Sequence, residues 1–284
     1  MALIDKLTAI ANGFRESRGT TAKLSLDEMA VLASEKVGGG DSGESKLAQY
    51  WGKTLEELTF EETQHLTAIS DSQFYEFHNL KTVEIATPIT YIYSKSFMNC
   101  ENLETVRFSP DCRCETIQEY AFANCKKLKG NITMPNQIGQ IYNNTFLSCW
   151  EIEGVILPDG VTAIGNYAFN ACRKLSSINA LNDVVDIKMY AFSNCYKLPK
   201  IIIGSKIVSI GQGAFIGCSS LESVTIYATT PPKIESDTFF VSNSSGAVMP
   251  STCKFYVPAE SLEAYKTATN WSNYADKIFA IEEV

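Results

Sequence analysis

The sequence predicts an α/β repeat solenoid: units of about 23 residues, each a short strand plus a short helical or 3-10 turn, with a helical N-terminal segment and a capped C-terminus. Three observations predict it. Phenylalanines recur at Phe74, Phe97, Phe122, Phe146, Phe169, Phe192 and Phe215, at spacings of 23, 25, 24, 23, 23 and 23, and Phe239 opens a degenerate copy. Three residues after six of them stands Cys100, Cys125, Cys149, Cys172, Cys195 or Cys218, with Phe77 in the first copy; six residues after stands Leu80, Leu103, Leu128, Ile152, Leu175, Leu198 or Leu221. Five residues before each stands an isoleucine, Ile69 through Ile210.

Ala, Phe, Cys and Leu at intervals of about three fit a helical or 3-10 turn with one apolar face. The Val-x-Ile that follows, as in Val224-Thr225-Ile226, alternates with period two and predicts a half-buried strand. One such unit cannot bury its own apolar face, so neighbours must stack around a shared core. Seven copies paired in parallel at about 4.8 Å make a stack roughly 30 to 35 Å long, a surface rather than a pocket.

Outside the repeat, residues 1–37 read as an N-terminal helical module, with Leu3, Leu7, Ile10 and Phe14 at helical spacing and a capping box of Ser25 and Glu28. Residues 38–45, GGGDSGES, form a linker by composition. Residues 46–68 are expected as capping helices over the open end of the core, 69–226 as the solenoid, and 227–284 as a degenerate last repeat and C-terminal cap. In that cap Pro258 suits a first helical turn, and Leu262, Tyr265, Trp271, Tyr274 and Ile278 are expected to close the stack.

Composition excludes several functions. The net charge is −8 and the Lys and Arg residues are scattered along the 284-residue chain with no basic run, so no nucleic-acid partner is expected. No apolar run approaches the roughly 18 to 20 residues of a bilayer span, so no membrane insertion is expected. The N-terminus alternates charged and apolar residues and lacks the apolar block of a signal peptide.

Catalytic and cofactor chemistry is equally unsupported. Gly211, Gly213 and Gly217 give G-x-G-x-x-x-G, one residue longer than the dinucleotide fingerprint and without a crossover helix after it. One thiol per coil makes a line, not the convergent set a metal requires, so the cysteines are expected as buried, reduced thiols and no cofactor is expected. Cys112 and Cys114, in the insertion SPDCRCET, are the more reactive candidates. Of two histidines, His78 lies beside inward Phe77 and is expected to face outward, so no nucleophile–base pair is assembled and the chain is expected not to be an enzyme.

The frame in IGNYAFNACRKLSSI (residues 164–178), IKMYAFSNCYKLPKI (187–201) and IGQGAFIGCSSLESV (210–224) resembles the BspA-type leucine-rich repeat. That resemblance implies a bacterial, adhesion-like protein at the cell surface or outside the cell, with protein or glycan ligands. The N-terminal stretch LIDKLTAIANGFRESRGTTAKLSLDEMAVLA also looks like leader segments of phage and prophage tail-associated proteins, which implies as an alternative a receptor-binding role in a phage particle. The candidate binding surface is the set of outward strand positions: Thr82, Glu84, Thr105, Arg107, Thr133, Ile156, Ser177, Asn179, Lys200, Ile202, Ser223 and Thr225. Tyr120, Tyr167 and Tyr190, which share one repeat position, and Tyr93 and Tyr142, which share another, are a further candidate contact set.

Overall fold

The computed structural model describes residues 55–64, 66–239, 241–243, 246–248 and 253–282. The expected helical module at 1–37, the linker at 38–45 and the first part of the expected capping helices lie outside the described residues. Within 55–68 the chain forms a two-residue strand, Glu57–Leu58, one helical turn, Phe60–Thr63, and the start of the strand Ala68–Ile69, in place of capping helices. Thr63 locks this segment onto the first coil: its hydroxyl donates to the Glu84 carbonyl at 2.7 Å and accepts from the Ala86 N–H at 3.0 Å.

Each coil of the repeat contributes one strand to a front sheet and one to a rear sheet, and all these strands are parallel. The front strands are Glu57–Leu58, Thr82–Ile85 and Thr105–Phe108; then Gly130–Thr133, Ile152–Ile156 and Ser177–Ile178; then Lys200–Ile203, Ser223–Ile226, Lys254–Val257 and Ile278–Ala280. The semicolons mark breaks where the sheet divides into three blocks. The rear strands are two residues each and run in register on their isoleucines, Ile69–Ile92–Ile117 and Ile141–Ile164–Ile187–Ile210–Ile234. Period-two alternation explains both: Val83, Ile85, Val224 and Ile226 are buried while their neighbours face solvent.

The segment around each Phe is not a helical or 3-10 turn. Residues two before and two after the Phe adopt positive φ, from Ser72 and Glu76 in the first copy to Gly213 and Gly217 in the seventh. N–H groups therefore alternate in direction. That of Phe169 donates across to Ala191 of the next coil at 2.8 Å, whereas that of Cys172 donates back to the Phe169 carbonyl within its own turn. The same cross-coil bond joins Phe74 to Ser96, Phe97 to Ala121, Phe122 to Thr145, Phe146 to Ala168, Phe192 to Ala214 and Phe215 to Thr238. A helix would keep all of these donors inside one coil; here half of them bind coils together, and the spine stays continuous where the front sheet breaks.

Behind this spine the eight phenylalanines stack as one ladder from Phe74 to Phe239, with ring centroids 5.1 to 5.6 Å apart and nearly parallel planes. The cysteines form a second ladder with a bonding role beyond packing. Each buried thiol donates to the carbonyl of the Phe one coil earlier, as Cys172 does to Phe146 at 3.3 Å and Cys100 to Phe74 at 3.0 Å. A small residue is needed behind the ring, and a weak donor is needed for a carbonyl that its own turn leaves with a spare lone pair.

At the C-terminal end the parallel stack gives way to edge-to-face packing. Phe255 meets Phe239 at 4.9 Å and 71°, and Trp271 and Tyr274 pack on both. The polar ends of these rings satisfy the carbonyls of the last coil: Trp271 Nε1 donates to Pro232 at 2.7 Å and Tyr265 Oη to Ala228 at 2.9 Å. Pro258 precedes a single 3-10 turn, Ala259–Ser261, which leads into the helix Leu262–Thr267.

Candidate binding surface

Pairing in register stacks the outward residues of the front sheet into columns. Thr82 lies beside Thr105, Glu84 beside Arg107, Thr133 beside Ile156, Lys200 beside Ser223, and Ile202 beside Thr225. The twelve predicted residues are thus brought to one side of the solenoid, but not onto one unbroken sheet. Glu84 and Arg107 belong to the first block, Thr133, Ile156 and Ser177 to the second, and Lys200, Ile202, Ser223 and Thr225 to the third.

Their chemistry differs block by block. In the first, Arg107 donates to Glu84 at 3.3 Å, and Glu84 also accepts the Phe60 N–H, so the charges are engaged with one another and with the end segment. Ile156 is 48% exposed, an unusual exposure for a β-branched residue at mid-sheet. Asn179 differs from the others in bonding to the backbone: its side chain donates to the Leu157 carbonyl and accepts the Leu157 N–H, both at 2.8 Å. The side chain extends the pairing of the second block by one residue, and the amide stays exposed with one N–H beyond these two bonds. The third block continues past the predicted positions, because Lys254 and Tyr256 pair with Ser223 and Thr225, and Phe279 pairs with Tyr256. Ile202, Thr225, Tyr256 and Phe279 then form one row, with the Lys254 ammonium 5.4 Å from the Phe279 ring. The sequence reading missed Tyr256 and Phe279 because the degenerate spacing after Phe239 hides their register.

Between the first two blocks, where the 25-residue spacing inserts SPDCRCE, a cleft of about 450 Å³ opens. Phe60, Arg107, Phe108, Asn131 and Thr133 are among its lining residues. Cys112 and Cys114, the more reactive candidates by sequence, are both buried, and burial pushes Cys114 up to about 12. Neither is an accessible thiolate at neutral pH. Burial raises the six ladder thiols likewise, and all nine cysteines are free. Among the described residues no group of three or more His, Cys, Asp or Glu could hold a metal ion, and no helix is long and apolar enough to cross a membrane. His78 is exposed.

The tyrosines divide. Tyr167 and Tyr190 stack at 5.1 Å, and Tyr190 covers Gly213, where an added Cβ would lie 2.3 Å from the ring. Gly213, at φ +58°, is therefore a floor for this ring and part of a turn, not of a phosphate loop. Tyr91 and Tyr93 stack at 5.8 Å on the rear side and are exposed. A signal the sequence reading did not use is the position just after each ladder cysteine, which places Lys126, Trp150, Arg173 and Tyr196 in consecutive coils.

Parallel coils of one front strand, one tight turn and one rear strand around a shared apolar ladder define a leucine-rich repeat protein, built to present area rather than an enclosed site. The chain belongs to the BspA type Leucine rich repeat family, whose model matches residues 48–161 and 139–259 in six copies. No curated protein matches the sequence. Among solved structures, a leucine rich cell surface protein from Faecalibacterium prausnitzii A2-165 is 23% identical with a TM-score of 0.53; the match covers 79% of this chain and 56% of that one. This chain thus spans little more than half of that relative, and the likeness is one of fold. The leucine rich repeat protein of T. pallidum is 26% identical over 55% of this chain and 71% of that one, with a TM-score of 0.48.

Proposed function

We propose that this protein is a non-enzymatic binding protein that recognises a protein or glycan at a bacterial cell surface through its front sheet. The observation that carries the reading is the row Ile202, Thr225, Tyr256 and Phe279, with Ile156 in the neighbouring block: apolar and hydroxyl side chains held outward on a rigid parallel sheet. Apolar area presented on a pre-organised scaffold favours association because little conformational entropy is lost on binding. Family membership, together with the fold likeness to a leucine rich cell surface protein, supports the location.

The test is adherence of beads coated with the full chain to bacterial and epithelial cells, against a variant carrying Ile156→Asp, Ile202→Asp and Thr225→Asp. Adherence should fall at least about tenfold in the variant with its melting temperature within a few degrees of the parent. Equal adherence of parent and variant removes the front face from the reading.

A further inference from the structure

The position following each ladder cysteine makes a column of its own along one corner of the solenoid. At its centre the Trp150 indole lies between two cations from the flanking coils, Lys126 Nζ at 5.3 Å and the Arg173 guanidinium at 4.3 Å from the ring centroid. Tyr196, 41% exposed, follows in the next coil. Lys126 is neutralised by Glu101 at 2.6 Å, whereas Arg173 has no ion pair among the described residues. A neighbouring column holds Lys127, Glu151, Lys174 and Lys197. There Glu151 takes Lys174, and the exposed Lys127 and Lys197 have no ion pair among the described residues. Folding thus brings Lys126, Lys127, Arg173, Lys174 and Lys197 together on one corner of a chain whose net charge is −8.

A guanidinium seated over an indole keeps its in-plane N–H donors at its rim, and the ring restricts rotamers that binding would otherwise have to freeze. Such an arginine is prepared for a carboxylate, which matches two parallel donors. Lys127 and Arg173 stand two coils apart, roughly 10 Å, and Lys197 one coil further. Duplex nucleic acid carries a charge about every 1.7 Å of its axis and would set phosphates against Glu151 and Glu153. A polymer with well-separated carboxylates and apolar ring faces between them fits the spacing, and the exposed Tyr196 ring offers a face on which a sugar can lie.

We propose that this corner binds an acidic polysaccharide, with Lys127 and Arg173 on two of its uronate carboxylates and Tyr196 against a sugar ring. The site is separate from the front sheet and does not depend on that sheet's function. The experiment is isothermal titration of the full chain with hyaluronan oligosaccharides at low salt, with neutral dextran, duplex DNA and polyglutamate as parallel probes. Hyaluronan should bind, weaken as salt rises, and lose about tenfold or more in affinity in Lys127→Gln/Arg173→Gln and in Tyr196→Ala. Lys233→Gln, on the rear sheet, should leave it within about twofold. The proposal is overturned if hyaluronan binds no better than dextran, if the double variant binds like the parent, or if DNA or polyglutamate binds as tightly as hyaluronan.

Discussion

Phe169→Leu removes one rung from the middle of the phenylalanine ladder. Phe169 is wholly buried, with Phe146 stacked on one face at 5.5 Å and Phe192 on the other at 5.3 Å. An aromatic pair contributes about 0.5 to 1.5 kcal/mol beyond its buried area, so losing two costs roughly 1 to 3 kcal/mol. Leucine keeps the site apolar, so the loss reports ring stacking more than cavity formation, whereas alanine would add a cavity and cost roughly 3 to 5 kcal/mol. Urea denaturation of the full chain measures the difference through the transition midpoint. The control is Leu175→Met, at a wholly buried position in the same coil, where a near-isosteric swap costs less than about 1.5 kcal/mol. If Phe169→Leu costs no more than Leu175→Met, the ladder is ordinary core and the stacking argument fails.

Cys172→Ser places a hydroxyl where the thiol reaches the Phe146 carbonyl, and is expected to destabilise by roughly 1 to 3 kcal/mol in the same titration; a neutral result would show that the oxygen is fully satisfied there. Burial lifts Cys114 and Cys218 to about 12 from an ordinary 9.0. Their stabilisation is therefore complete below pH 9 and lost as the pH rises toward 12, since only the unfolded thiols ionise in that window. The urea midpoint should fall between pH 8 and pH 10.5 by less in Cys114→Ala/Cys218→Ala than in the parent, and equal falls would assign the loss to other groups. The six ladder thiols should react with maleimide only when urea opens the chain; rapid native labelling of all six would falsify the buried ladder. Trp271→Ala strips the end cover from Phe239 and Phe255 and should cost roughly 3 to 5 kcal/mol with increased light scattering, whereas an unchanged monomer would remove Trp271 from that role.

The parts legible in the sequence are those that depend on period. A Phe, a Cys and a Leu repeated in fixed register can be satisfied only by stacking, because each coil alone leaves its apolar side in water. The period therefore determined the solenoid, its buried residues and the outward positions on each strand, with no knowledge of the path between them. The turn was misread because Ala-Phe-x-x-Cys has helical spacing, whereas the positive φ at Tyr167 and Ala171 follows from hydrogen bonds to the next coil that no single coil encodes.

Register across coils was the other quantity that the tertiary structure alone decided. It broke the front face into three blocks, engaged Asn179 with Leu157, and extended the surface to Tyr256 and Phe279 past a stretch where the period fades. It also set Arg173 over Trp150, 23 residues apart in sequence, on a corner shared with Lys126, Lys127 and Lys197. Periodicity specifies what faces inward because burial is a property of each coil's own pattern; what faces outward together depends on which coil lies beside which, and that is a property of the stack.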